Sequence, residues 1–143
     1  RSGLCDLIAN PRYEDIAALK TDPQLRVVSQ PGLNIFYIAF NVKKPPFDKL
    51  EVRQALNHAL NKSLYIQKGF KGFAQVARNP MPPNMWGFNK SLQDYDYSPQ
   101  KARALLKKAG FDKGLKIQFS FMSESRPYNP NGKLIADLIV EDL

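Results

Sequence analysis

Two residue types with wide chemical range are nearly absent: the 143-residue chain has one cysteine, Cys5, and one histidine, His58. A single cysteine excludes an internal disulfide and any cysteine-based zinc cluster. A single histidine gives a Ser-His or Cys-His constellation little support. Long apolar runs are missing too, since nothing approaches the roughly 20 residues needed to cross a bilayer, and the chain reads as soluble. The opening RSGLCDLIAN has no basic region followed by an apolar stretch and a cleavage site, so it is not a signal peptide. Glycine-rich phosphate signatures do not occur. Glu51, Asp94, Asp96, Glu124, Asp137, Glu141 and Asp142 are the carboxylates one would try in catalytic roles, and none stands in a paired constellation.

What is present describes a globular chain. Hydrophobic residues make up 43% and aromatics 11%, which excludes disorder as the main state. A chain of this length can bury roughly two-thirds of its unfolded surface in one core. The formal charge of +8 invites a nucleic-acid reading. The cations, however, are spread out in pairs such as Lys43-Lys44 and Lys107-Lys108, with no run of five like charges, so a solvated surface is the preferred reading.

The chain is organised around Phe47 to Asn61, FDKLEVRQALNHALN. Asp48 with Glu51 three residues on reads as a capping box. Val52, Ala55, Leu56, Ala59 and Leu60 then follow at helical spacing on one face, with Arg53, Asn57 and Asn61 on the other. His58 lies off the stripe and is expected to be solvated.

Before this helix, Leu4 to Ile8 reads as a short buried strand, Tyr13 to Lys20 as a helix, and Leu25 to Gln30 as a strand closed by Pro31-Gly32. Together they form a strand-helix-strand unit of an α/β layer. Leu33 to Val42, LNIFYIAFNV, is the strongest strand pattern in the chain, and its near-continuous hydrophobicity predicts burial on both faces. Pro45-Pro46 stiffens the connection to the organising helix.

After it, Ser63 is placed to cap a helix running to about Lys68 and closed by Gly69. Gly69 to Asp96 shows no period and contains Pro80, Pro82 and Pro83, the mark of a long packed or functional loop. Trp86 in this loop reads as a lid over the neighbouring helices in preference to a ligand contact. Ser98-Pro99 opens a helix with the stripe Ala102, Leu105, Leu106 and Ala109, and Gly110 is its left-handed stop. Leu115 to Met122 alternates as a half-buried strand. Asn129-Pro130 repeats the cap-plus-proline start for a final helix carrying Leu134, Ile135, Leu138 and Ile139.

Four stretches, DKLEVRQALNHALNK, NPMPPNMWGFN, YSPQKARALLKKAGF and RPYNPN, occur in an order and spacing that resembles the extracytoplasmic solute-binding proteins of peptide ABC transporters, family 5, and within it the dipeptide-binding branch. The resemblance implies an α+β (mixed α/β) fold that is part of a two-lobe periplasmic-binding-protein-like architecture, truncated, because members are several times longer than this chain. On that basis residues 1–41 are expected to end the first lobe, with Leu33 to Val42 as the strand that crosses over, and residues 42–143 to form an incomplete second lobe. The implied function is capture of peptides for an importer in the periplasm, with a peptide ligand and an inner-membrane ABC permease as partners, no nucleic acid, no cofactor, no metal and no enzymatic activity. Haem or a cationic antimicrobial peptide is the alternative ligand, and a basic nucleic-acid-binding module or a hydrolase the alternative class.

The resemblance also bears on residues. RPYNPN matches the segment in which dipeptide-binding relatives place an arginine on the ligand's terminal carboxylate, which assigns that role to Arg126 and makes Tyr128 its neighbour. An arginine beside a helix amino end does suit a carboxylate, because the planar fork and the free helix amides favour the same charge. Relatives with a cysteine near position 5 resemble a pattern in which it pairs with one near the mature amino terminus. No such partner is in the chain, so Cys5 is expected to be free. Sheet edges left unpaired are expected to promote self-association.

Overall fold

The computed structural model describes residues 4–143, in which five helices carry the core. The helices are α1 (Tyr13–Lys20), α2 (Leu50–Ala59), α3 (Lys62–Gly69), α4 (Pro99–Lys108) and α5 (Gly132–Asp142). Pairing alternates along the chain, so that α2 packs on α4 and α3 on α5. Each pair has its own apolar cluster. Val52, Leu56 and Ala109 form the first, and Leu60, Tyr65, Phe70, Ile135, Leu138 and Ile139 the second.

Helix α2 shows the expected stripe. Val52, Ala55, Leu56 and Leu60 are buried, and the two alanines leave the half-buried Ala59 as the edge of the face. The capping box does not form. Lys49 is the N-cap, in extended conformation and without a side-chain cap bond, and Arg53 instead donates to the carbonyls of Phe47 and Asp48 at 2.7 and 3.0 Å. The Glu51 carboxylate bonds its own backbone amide and lies 3.3 Å from Lys108, and these two contacts, in that order, hold its pKa below the usual value. Lys49 serves the partner helix, donating 2.8 Å to the Ala109 carbonyl at the end of α4 and sitting over the Phe111 ring. A cation there suits the negative end of the helix dipole.

Two other caps fall elsewhere than expected. Asn61, not Ser63, caps α3 by accepting from Leu64. Asn131, not Asn129, caps α5 by accepting from Leu134. In both cases the sequence offers several cap residues within a turn, and the packing of the helix selects among them. The α4 start agrees with expectation, with Ser98 accepting from Lys101 and Pro99 opening the helix, and Gly110 adopts φ +90°.

No ladder pairs the segments expected as strands among the described residues, where the isolated bridge is Arg126 with Asn129, and Leu4 and Asp6 in the first of them are bends. A strand's backbone groups need a neighbouring strand. The 33–42 segment is covered on one side: Phe36 and Ile38 pack on the α3/α5 cluster and Phe40 on the α2/α4 cluster. Its other side carries Tyr37 at 75% exposure, so burial on both faces is not observed. The 115–122 segment crosses the same clusters in the opposite order, with Leu115 and Ile117 on α2/α4 and Phe119 on α3/α5. Its half-buried alternation agrees with the sequence through Phe119, while Phe121, expected on the covered side, is 49% exposed. Leu4, Leu7 and Ile8 are exposed rather than buried, because no described residue packs over them.

Two aromatic residues also differ from expectation. Trp86 is 92% exposed and covers no helix, since the proline-rich loop turns it outward. His58 is not solvated. Its side chain is 13% exposed, Nδ1 lies 2.8 Å from the Asp96 carbonyl, and the Tyr95 ring meets it edge-on. Both partners come from the long loop, whose path has no period to read. Cys5 is an exposed free thiol.

Candidate functional site

The loop between the 115–122 segment and α5 is built from a closed turn. The backbones of Arg126 and Asn129 exchange two hydrogen bonds, at 3.0 and 2.9 Å. Asn129 is 3% exposed and its Nδ2 donates to the Met122 carbonyl at 3.4 Å. Its Oδ1 is buried without a partner, and an orphaned acceptor of this kind costs about 1 to 3 kcal/mol. Gly132 closes the neck from the other side: a Cβ there would lie 2.2 Å from the Met122 carbonyl oxygen. Only a residue without a side chain fits between the end of the extended segment and the first turn of α5.

This neck anchors the backbone of Arg126 while leaving its guanidinium outside. The Arg126 side chain is 49% exposed, and Nη2 donates to Glu124 Oε2 at 2.6 Å. Tyr128 is half-buried two residues on. The first turn of α5 follows, with Asn131 occupying the Leu134 amide. The arrangement presents a planar cation next to a helix start, on a turn closed by two backbone hydrogen bonds. Among the described residues no group of His, Cys, Asp or Glu is placed to hold a metal. Sequence reasoning named Arg126 and Tyr128 but not the residues that position them, Asn129 and Gly132. The signal was there in part, because the run Asn129-Pro130-Asn131-Gly132 consists of turn residues.

Away from this loop, polar groups serve the scaffold. The Tyr65 hydroxyl donates to Asp142, which also accepts from the Asn61 amide at 2.7 Å and so ties the end of α5 to the start of α3. Burial, and then the Asp142 bond, push the Tyr65 phenol well above its ordinary pKa. Lys62 pairs with Asp94 at 2.5 Å. Lys101 pairs with Asp96 and is the main cause of that carboxyl's lowered pKa. These basic residues carry local partners instead of forming a patch. No helix among the described residues is long and apolar enough to cross a membrane.

The model of the bacterial extracellular solute-binding proteins, family 5 (middle part), matches residues 1–143, and the chain belongs to that family. It is 49% identical over 142 residues to the di/tripeptide-binding protein 1 of Pseudomonas aeruginosa, covering 99% of this chain and 26% of that protein. Identity to the haem-binding protein A of Haemophilus influenzae is 45% over 142 residues, again 99% of this chain and 26% of the relative. The solved dipeptide-binding protein of Pseudoalteromonas sp. SM9913, in complex with Met-Leu, superposes with a TM-score of 0.79 at 37% identity, covering 90% of this chain and 25% of that one. The chain therefore spans about a quarter of the length of the relatives it matches. Its fold is part of the two-lobe binding-protein fold.

Proposed function

We propose that this chain is a portion of a substrate-binding protein that captures short peptides in the periplasm and delivers them to an inner-membrane ABC permease. The observation that carries the reading is the 49% identity to a di/tripeptide-binding protein over nearly the whole chain. Within it, Arg126 holds the terminal carboxylate of the peptide and Tyr128 lines the same site. The supporting features are the anchored backbone of Arg126, its accessible guanidinium and the helix start beside it. The task of such a protein is binding and release. Residues 33–42 are the crossing strand, which puts the lobe boundary near Asn41, with residues 42–143 in the second lobe.

Calorimetry on the whole solute-binding protein tests the site. Removing the cation from a buried carboxylate typically costs about 2 to 5 kcal/mol of binding, so Arg126→Ala is expected to abolish tight peptide binding with little change in stability. Equal affinities would remove Arg126 from the site. The identity to a haem-binding protein supports a second ligand. Titration with haem followed by its absorption band separates the two, since a peptide-specific protein leaves that band unchanged. The unpaired extended segments also favour self-association of the isolated 143-residue chain, which sedimentation at rising concentration reads directly. A strict monomer contradicts it.

A further inference from the structure

We propose that Glu124 stands in for the ligand's carboxylate on Arg126 in the unliganded protein, so that peptide capture is an exchange of one carboxylate for another. The inference rests on the reading of Arg126 given above and adds a residue that sets the strength and selectivity of the site. Glu124 Oε2 lies 2.6 Å from Arg126 Nη2, which is the distance and chemistry that a peptide's carboxyl end would adopt there.

The geometry makes this contact persistent yet replaceable. Met122 is held by Asn129 and Arg126 is held by its two backbone bonds to Asn129, so residues 123–125 form a short arc between two fixed points. The Glu124 backbone therefore stays close to that of Arg126. The pair is nonetheless open to water, with side chains 49% and 75% exposed, and ion pairs in that setting are weak. Ser123, Glu124 and Ser125 are all exposed, so the arc is free to swing the carboxylate aside.

A ligand carboxylate arriving at Arg126 displaces Glu124 from Nη2 or takes the remaining donors of the fork beside it, and either way two carboxylates sharing a site repel. Glu124 thus weakens the binding of any ligand that presents a carboxylate. It has no such effect on a ligand that does not. The consequence is a moderated affinity for free peptides, suited to a protein that has to release its cargo.

The test uses the whole solute-binding protein, with calorimetric titration of the dipeptide Met-Leu and of its carboxyamide. Glu124→Gln keeps the shape and removes the charge at an exposed position, so folding is not at stake. The expected result is Met-Leu binding tighter by roughly two- to fivefold, the range that exposed ion pairs span. The gain should be absent for the carboxyamide and absent in the Arg126→Ala background. An unchanged or weaker affinity of Glu124→Gln for Met-Leu, with Arg126→Ala still damaging, overturns the exchange and leaves the site reading standing. An equal gain with the carboxyamide overturns it too. If Arg126→Ala does not change Met-Leu affinity, or if Met-Leu does not bind, the site reading itself fails and the exchange with it.

Discussion

The helix pairs and the extended segments of this protein contain similarly apolar residues and end in different states. Val52 in α2 and Ile135 in α5 are almost fully buried, while Leu33, Tyr37 and Met122 in the extended segments stay half or more exposed. The difference is one of self-sufficiency. A helix satisfies its backbone within its own ten residues and needs only a facing stripe to bury. A strand has no internal bonds and requires a neighbour for its backbone before its side chains can be covered. The 33–42 and 115–122 segments show this directly, since each lays one face on the helices and leaves the other open.

The comparison is broken or sharpened most strongly by truncating one residue of each kind. Ile135→Ala is expected to destabilise by about 2 to 5 kcal/mol, the range for emptying a packed core position, whereas Tyr37→Ala is expected to stay within about 0.5 kcal/mol. Urea unfolding midpoints measure both. A large effect at Tyr37 would mean that its face is covered by a strand in the protein as tested. Gly132→Ala comes next, at about 1 to 3 kcal/mol, because its Cβ would overlap the Met122 carbonyl and backbone yields less readily than a side chain. The same unfolding experiment, combined with peptide affinity, tells whether the turn under Arg126 moves with it.

Cap substitutions test which local signals the packing used. Asn131→Ala should cost about 1 kcal/mol. Asp48→Ala should cost almost nothing, because Asp48 makes no side-chain cap bond to α2. Thermal melts of the two variants decide it, and equal losses would restore the capping box. The smallest effect expected near neutral pH concerns Tyr65. The folded protein keeps a phenol proton that the unfolded chain surrenders near pH 10. Its stabilisation is complete below that pH and is lost as pH climbs toward the raised folded value. Stability measured against pH should therefore fall more steeply above about pH 10 in the wild type than in Tyr65→Phe.

Much of the helical layer was legible beforehand. The stripe of Val52, Ala55, Leu56 and Leu60, the Ser98-Pro99 start and the Gly110 stop are short-range patterns, and short-range patterns are what helices are made of. Arg126 was chosen from a family motif alone, and the peptide affinity of its alanine variant is what tests that choice. The exact cap, as at Asn61 and Asn131, was not legible, because adjacent polar residues compete for one amide. His58 was misread for a related reason: its partners Asp96 and Tyr95 lie some forty positions away, on a loop without period.

The sequence by itself determined where helices form, which of their faces are apolar, and which family the chain resembles, since periodicity and motif are properties of neighbours along the chain. Only the tertiary structure decided that α2 chooses α4 and α3 chooses α5, that Asp142 ties Asn61 and Tyr65 together, and that Glu124 sits on Arg126 above a neck with no room for a side chain at Gly132. Those outcomes depend on which surfaces fit and which polar groups are left without water, and both are set by residues far apart in the chain.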